Sequence, residues 1–237
     1  MQFYLERFSF PIYGILLILS MVIGVSYYLF LLRKSIKLDL LVLLGLVSIA
    51  FMIFCGKLFT IISGTNELNI FKIGLSSYGG VFGLLLSSFC FGKIYGKEQK
   101  KIFVCSILVL PLIYSIGKLG CFLVGCCHGI LYDGIFSVTY GDISGISYFP
   151  VQLVESIIFL ILFIIAIVLY FKKNPYVGEM VVCFCSFSKG MLDFLRYGHV
   201  GFSISINQVV SLLLFCVSIF LIFKKRKRLM DTKSIFK

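Results

Sequence analysis

The stretch from Gly117 to Gly129 concentrates the residue types that could do chemistry in this chain. It reads G-K-L-G-C-F-L-V-G-C-C-H-G and lies between apolar segments of membrane-spanning length. Its thiols, amine and imidazole could act as nucleophile, phosphate ligand or proton acceptor. We expect its glycines to interrupt the helix, and irregular backbone at membrane depth is tolerated only where it is buried in protein or lines a cavity. The stretch therefore predicts a site rather than a lipid-facing surface.

Four further ionisable residues lie within or beside apolar segments, where charge is costly. Glu155 begins one segment, and Lys189, Asp193 and Arg196 end another at spacings of four and three, which place them on one helix face. Each would cost about 2.5 to 3.5 kcal/mol at a lipid-facing helix centre. Two interpretations remain open. The charges form a structural ion-pair ladder, or the cations, with Lys118, bind an anion such as a lipid phosphate while the carboxylates orient them or transfer protons.

The elements that must position these residues are membrane helices. The 237 residues are 60% hydrophobic and 14% charged, with a mean hydropathy of +1.08, which excludes an ordinary soluble domain. We predict an all-α integral membrane protein, a single transmembrane domain over residues 1–237 with seven transmembrane helices. The predicted spans are Pro11 to Leu32, Leu40 to Ile62, Ser76 to Phe91, Ile102 to Ile116, Val151 to Phe171, Gly178 to Leu195 and Ile204 to Phe223.

The net charge of +12 is explained by topology rather than by a nucleic-acid partner. Basic residues cluster after the first, third, fifth and seventh predicted spans, and by the positive-inside rule those segments face the cytoplasm. We therefore predict an N-terminus outside and a basic cytoplasmic tail at residues 224–237 that anchors on anionic lipid. The first apolar run is expected to remain in the membrane rather than be cleaved as a signal peptide.

Two other features have less specific interpretations. Cys55, Cys90, Cys105 and Cys216 lie singly in apolar runs and are expected to be small buried hydrophobic residues. The segment Gly74 to Gly83, with its hydroxyls and glycine pair, predicts either close helix packing or backbone that approaches a ligand.

Taken together, these segments resemble the prolipoprotein diacylglyceryl transferase family over Gly74 to Ser211. The family signature G-R-x-G-N-F-x-N-x-E-x-x-G is similar in glycine frame, length and Phe122 to Gly117–Gly129. Four further segments look like family motifs: Tyr78-Gly79-Gly80, F-P-V-Q-L-V-E from Phe149 to Glu155, the trio Lys189, Asp193 and Arg196, and Asn207, Gln208 and Ser211. The chain departs from the signature at Lys118 for arginine, Cys121 and Val124 for asparagine, Cys126 for glutamate, and Tyr78 for a histidine.

The resemblance implies a bacterial plasma-membrane enzyme with its cavity on the outer-leaflet side. Its activity would be transfer of diacylglyceryl from phosphatidylglycerol, or a similar anionic phospholipid, to a cysteine thiol of a prolipoprotein or related peptide. The implied catalytic residues are Tyr78, Lys118, Cys126, Glu155, Lys189 and Asp193. The implied substrate-binding residues are Gly79, Gly80, Gly117, Gly120, Cys121, Gly129, Gln152 and Arg196.

Other functions for the cysteines stay open. Cys126 could relay an acyl or lipid group, Cys121 could cycle through a disulfide with Cys126 or Cys127, or the protein could be a non-catalytic lipid-binding or transport relative of the family. A zinc site from these three cysteines and His128 is less favoured, because adjacent cysteines rarely ligate one ion with good geometry. We therefore expect neither a metal nor a cofactor.

Overall fold

The computed structural model describes residues 3–5, 10–62, 74–140, 146–196 and 206–235. Within these ranges the chain forms seven helices, and α5 has the predicted ends. The helices are α1 Phe10–Leu32, α2 Leu38–Ile62, α3 Ser77–Tyr95, α4 Gln99–Val124, α5 Val151–Phe171, α6 Val177–Asp193 and α7 Ile206–Ile235.

Six of the seven helices are long and apolar enough to cross a membrane. Helix α6 is the exception, because it has only 17 residues and about 20 are needed to span the hydrocarbon core. Large apolar side chains such as Leu46, Ile164 and Phe220 are exposed on the helices, as lipid contact requires. The protein is therefore a multi-pass helical membrane protein, while seven spans and their orientation stay predictions.

Helix α4 ends later than the sequence predicts. We expected the span to end at Ile116 and the glycine-rich stretch to leave the helix, but the helix continues to Val124. A helical glycine costs about 1 kcal/mol relative to alanine, and close packing offsets that cost. At Gly120 a β-carbon would lie 3.3 Å from the Leu16 Cβ. Lys118 and Cys121 are thus held on a helix, and only the residues from Gly125 onward are irregular.

A small three-stranded sheet was not anticipated from the sequence. Strand β1 (Phe3–Leu5) pairs in parallel with β2 (Val138–Tyr140), which pairs antiparallel with β3 (Ser147–Tyr148). Val138, Tyr140 and Tyr148 form a buried cluster against which Phe122 packs. Strands of two or three residues have too few positions to show a period of two, so pattern analysis passes over them.

The chain divides into two compact units, residues 1–18 with 114–237 and residues 19–113. In the unit of residues 19–113, α2 packs on α3. Within it the Tyr28 hydroxyl donates to Ser88 Oγ at 3.0 Å and the Ser87 hydroxyl to Ser48 Oγ at 3.3 Å. In the other unit α6 packs against both α5 and α7.

Glycines of α3 permit close approach to α2. A β-carbon on Gly79 would lie 2.8 Å from the Gly56 Cα, and one on Gly83 would lie 2.9 Å from the Met52 Cα. Small residues four apart are a common device for close packing of membrane helices. Close packing therefore explains Gly79, whereas a β-carbon on the buried Gly80 would have nothing nearer than the Met52 carbonyl oxygen at 4.0 Å.

The isolated cysteines divide into two groups. Cys55 and Cys105 are buried as predicted, but Cys90 and Cys216 are exposed. The prediction was wrong for these two because an apolar run in a membrane helix has one side facing lipid, where a small thiol is as acceptable as in the core. All nine cysteines lie in described ranges, and none forms a disulfide.

Candidate active site

Glu155 is the centre of a buried charged cluster. Its side chain is fully buried, since α5 turns the face of Val151, Gln152, Glu155, Ser156 and Phe159 inward. The Glu155 Oε2 lies 2.6 Å from Lys118 Nζ on α4, and Oε1 lies 2.9 Å from Lys189 Nζ on α6. A terminal guanidinium nitrogen of Arg196 lies 3.4 Å from each carboxylate oxygen. One carboxylate thus holds three cations that are distant in sequence.

Asp193 completes the charged cluster. Its Oδ1 lies 3.5 Å from the Arg196 Nε and 3.9 Å from Lys189 Nζ, which confirms the shared helix face predicted from their spacing. Burial acts to lower the pKa of Arg196, but the Glu155 carboxylate and smaller contributions from other neighbours, Asp193 among them, together outweigh burial and raise that pKa above its usual range. With three cations and two carboxylates, the cluster keeps one net positive charge.

Sequence reasoning missed Tyr114. Its hydroxyl donates to Glu155 Oε1 at 2.9 Å, and its ring centroid lies 5.3 Å from both Lys118 Nζ and Lys189 Nζ. An aromatic face at that distance stabilises an ammonium group. The available signal was the spacing of four residues between Tyr114 and Lys118, which places both on one face of α4.

A helix C-terminal motif brings together two cysteines that are not adjacent in the sequence, Cys121 and Cys126. The Cys126 amide donates to the Cys121 carbonyl at 3.1 Å and the Gly125 amide to the Phe122 carbonyl at 3.3 Å. Gly125 adopts φ +71°, so the end of α4 is a Schellman motif with glycine in the left-handed position. That motif commonly brings into contact the two side chains that here belong to Cys121 and Cys126.

The three cysteines at this helix end form a cluster of thiols. The sulfur atoms of Cys121, Cys126 and Cys127 all lie within 4.8 Å of one another. Cys121 is buried, Cys126 is half-buried and Cys127 is exposed. Thiol hydrogen bonds from Cys121 and Cys126, together with the charge of Lys118, lower the pKa of the Cys127 thiol below its usual range. The His128 ring stacks on Tyr148 at a centroid distance of 4.1 Å.

Backbone and amide hydrogen bonds join the thiol cluster to the charged cluster. The Gly129 amide donates to the Phe149 carbonyl at 3.2 Å, and Gly129 pairs with Arg196 in an isolated β-bridge. A β-carbon on Gly129 would lie 2.5 Å from the Phe149 oxygen and 2.9 Å from the Leu195 oxygen, so only glycine fits. The Gln152 side chain donates to the Cys126 carbonyl at 2.8 Å. These bonds fix the cysteine loop beside the start of α5 and the end of α6.

The structure brings together most, but not all, of the residues predicted from sequence. One unit contains both clusters and the predicted residues Gly117, Lys118, Gly120, Cys121, Cys126, Gly129, Gln152, Glu155, Lys189, Asp193 and Arg196. Tyr78, Gly79 and Gly80 belong to the unit of residues 19–113. Their part in the site stays a prediction.

The fold and the site define the class as a multi-pass helical membrane protein with a buried charged cluster, and ionisable residues in such a protein indicate a functional site. Comparison with known proteins gives the family: the chain belongs to the prolipoprotein diacylglyceryl transferases, whose family profile matches residues 1–224. That match confirms the resemblance argued from the motifs.

Similar proteins carry the corresponding name. The chain is 26% identical over 215 residues to the phosphatidylglycerol-prolipoprotein diacylglyceryl transferase of Clostridioides difficile, covering 85% of each protein. It is 28% identical over 164 residues to the protein of that name from Campylobacter lari, covering 65% of this chain and 58% of the relative. A Chlamydia pneumoniae protein of that name is 30% identical over 140 residues, covering 55% of this chain and 49% of the relative.

Proposed function

We propose that the protein is a transferase that moves diacylglyceryl from phosphatidylglycerol to a cysteine thiol of a prolipoprotein or related peptide. Family membership and the names of the similar proteins support the reaction. The observation that carries the proposal for this chain is the convergence of Lys118, Lys189 and Arg196 on Glu155.

The three cations would bind and stabilise the lipid phosphate. The charged cluster keeps one net positive charge, and a phosphodiester carries one negative charge. When the glyceryl carbon is transferred, the leaving glycerol phosphate takes the electron pair of the broken carbon–oxygen bond and gains a second negative charge. Preorganised cations at the place where charge develops are often the largest single contribution to catalysis.

The carboxylates have different roles in this proposal. Glu155 is a positioning residue, because it accepts from all three cations and keeps them in one place. Asp193 has longer separations, 3.5 and 3.9 Å, from two of the cations. We assign Asp193 as the group that takes the proton of the acceptor thiol, since a thiol must become a thiolate to attack. Tyr78, Gly79 and Gly80 are kept as proposed contacts of the lipid.

The proposal includes a membrane orientation. The enzyme would lie in the bacterial plasma membrane with its N-terminus outside, its C-terminus in the cytoplasm and its cavity open to the outer leaflet. The distribution of basic residues along the chain supports this orientation. A lipid donor would then enter laterally, and the exported acceptor would enter from outside.

The test is intact-mass analysis of a lipobox peptide incubated with phosphatidylglycerol vesicles and the purified protein. We expect a mass increase of one diacylglyceryl group with the wild type and with Cys216→Ser, whose exposed thiol lies far along α7. Lys118→Ala should reduce the initial rate by about 100-fold or more, as loss of a donor to developing negative charge typically does.

Two results would overturn the proposal. Phospholipid that copurifies with the protein while no peptide is modified would make the protein a lipid-binding relative without catalysis. Equal rates for Lys118→Ala and Cys216→Ser would place the site elsewhere. A family member assayed in parallel controls for the quality of the peptide and vesicles.

A further inference from the structure

We propose that Cys121, Cys126 and Cys127 bind one zinc ion through three thiolates and leave its fourth position open for the acceptor thiol. The binding site itself stands on the thiol geometry. The role of the fourth position rests on the proposed transferase function. This assignment departs from the expectation of no metal that the sequence alone supported.

The separation of the sulfur atoms suits one ion. Zinc binds thiolate sulfur at about 2.3 Å, so two sulfurs of a tetrahedral site lie about 3.8 Å apart. The three sulfurs already lie within 4.8 Å of one another. That upper limit exceeds the tetrahedral separation by about 1 Å, so only a small approach of the sulfurs is needed for them to share one ion.

Adjacent cysteines rarely ligate one ion with good geometry, but two backbone features bring these cysteines together. The Schellman motif folds Cys126 back onto Cys121 across the helix end. Cys127 then adopts φ +56°, a left-handed conformation uncommon for a residue other than glycine. As a result the side chains of Cys126 and Cys127 both reach the sulfur of Cys121 instead of pointing to opposite sides.

The surroundings stabilise such a centre. Zinc with three thiolates carries one net negative charge, and two cations lie close by along the backbone: Lys118 is on α4 with Cys121, and Arg196 pairs with Gly129 in a β-bridge. The Gln152 side chain fixes the Cys126 carbonyl at 2.8 Å, which supplies an outer-shell hydrogen bond of the kind that orients metal ligands. Among the described residues, the group of side chains close enough to share one ion consists of the three cysteines without His128. The His128 ring instead stacks on Tyr148.

Three protein ligands and one open position are the pattern of catalytic rather than structural zinc. The exposed Cys127 and buried Cys121 place the open side of the cluster toward the surface, where an acceptor peptide would arrive. A thiol that coordinates zinc becomes a thiolate, and its proton goes to Asp193, the acceptor assigned in the proposed reaction. The zinc-bound thiolate then forms the carbon–sulfur bond as the carbon–oxygen bond breaks, and glycerol phosphate leaves with the electron pair. The thioether product is a weaker ligand than the thiolate and dissociates.

The first experiment measures metal, not activity. Full-length protein, purified in detergent with thiols kept reduced, is stripped with a chelator and titrated with Co²⁺ alone, followed by Zn²⁺ competition. We expect one Co²⁺ per chain, with tetrahedral ligand-field bands and a thiolate-to-cobalt charge-transfer band that zinc abolishes. The wild type alone can decide this, so no variant needs to fold.

Matched variants then locate the site. Cys127→Ser should weaken zinc binding by more than about 100-fold, since even outer-shell partners contribute about 10- to 100-fold. Cys90→Ser and Cys216→Ser, which change exposed thiols elsewhere, should leave the affinity and the spectrum unchanged. Thermal unfolding of each variant checks that the fold is intact.

Several outcomes overturn the zinc site. The first is a protein whose thiols are reduced but which binds no stoichiometric metal. The second is protein isolated from cells with one equivalent of copper in place of zinc. The third is a disulfide of Cys121 that is trapped when intact cells are alkylated. The transferase assay separates the two proposals. Equal turnover by stripped and zinc-loaded enzyme would overturn the role of the open position while the proposed function stands. If the protein binds stoichiometric zinc but shows no turnover, the metal site stands and the proposed transferase function is overturned.

Discussion

At the scale of single residues, the candidate site depends on one buried carboxylate. Glu155 is contacted by Lys118, Lys189 and Arg196 and by the hydroxyl of Tyr114. Each cation alone would be costly to bury, and the shared carboxylate offsets part of that cost. The arrangement therefore couples stability to function, because the groups proposed to bind phosphate are also held in place by Glu155.

Replacing Glu155 tests that coupling. Glu155→Gln keeps the size of the side chain but leaves buried cations without their main counter-charge, so we expect a loss of about 3 to 5 kcal/mol in the free energy of unfolding. Thermal or denaturant unfolding in detergent measures it.

Glu179→Gln is the matched control for this change. Glu179 pairs with Lys225 at 2.6 Å, but the side chains are 22% and 36% exposed. Such a partly exposed pair contributes about 0 to 1 kcal/mol. Similar losses for the two variants would show that Glu155 does not organise the cluster.

At the scale of elements, glycines set how closely α2 and α3 approach. The positions that β-carbons would occupy on Gly79 and Gly83 are filled by the backbone of α2. Backbone cannot be displaced as easily as the end of a flexible side chain, so these two positions are more constrained than a helical glycine such as Gly14, which has nothing within 4 Å of its β-carbon position.

We expect Gly83→Ala to destabilise the protein by about 1 to 3 kcal/mol, the usual cost of overpacking. Gly14→Ala is the contrasting change, because nothing lies within 4 Å of the position its β-carbon would take, and alanine favours the helix by about 1 kcal/mol. Unfolding midpoints measured for both variants should shift in opposite directions. A neutral Gly83→Ala would mean that α2 and α3 are not packed this closely.

At the scale of the whole molecule, the open question is orientation in the membrane. The segment between α3 and α4 contains Lys97 and is exposed, as is Asp133 in the segment between α4 and α5. Lysines lie in this segment and in the helix ends beside it, at Lys93, Lys97, Lys100 and Lys101, so the positive-inside rule assigns it to the cytoplasm. The two segments lie at opposite ends of α4 and should therefore lie on opposite sides of the bilayer.

Reporter fusions measure this directly. Alkaline phosphatase fused after Asp133 should be active, while the same enzyme fused after Lys97 should be inactive, because it folds only outside the cytoplasm. A fluorescent protein fused to the C-terminus should fluoresce. The reverse pattern would invert the topology and place the cysteine loop in the cytoplasm.

Sequence patterns predicted the helices well and their ends unevenly. Val151 and Phe171 were placed correctly because Pro150 and a pair of lysines bound a predominantly apolar run. The end of α4 was misplaced by eight residues, from Ile116 to Val124, because single glycines lower helix propensity less than tertiary packing can restore.

The sequence by itself determined that this is a helical membrane protein, which family it belongs to, and which side chains could hold charge at membrane depth. These follow from local composition, motif spacing and the one-face rule for Lys189, Asp193 and Arg196. Only the tertiary structure decided that Glu155 is the shared partner of three cations, that Tyr114 belongs with them, and that the sulfurs of Cys121, Cys126 and Cys127 meet. The physical reason is that these contacts depend on how separate helices and one helix end are oriented in space, which no periodicity along the chain records.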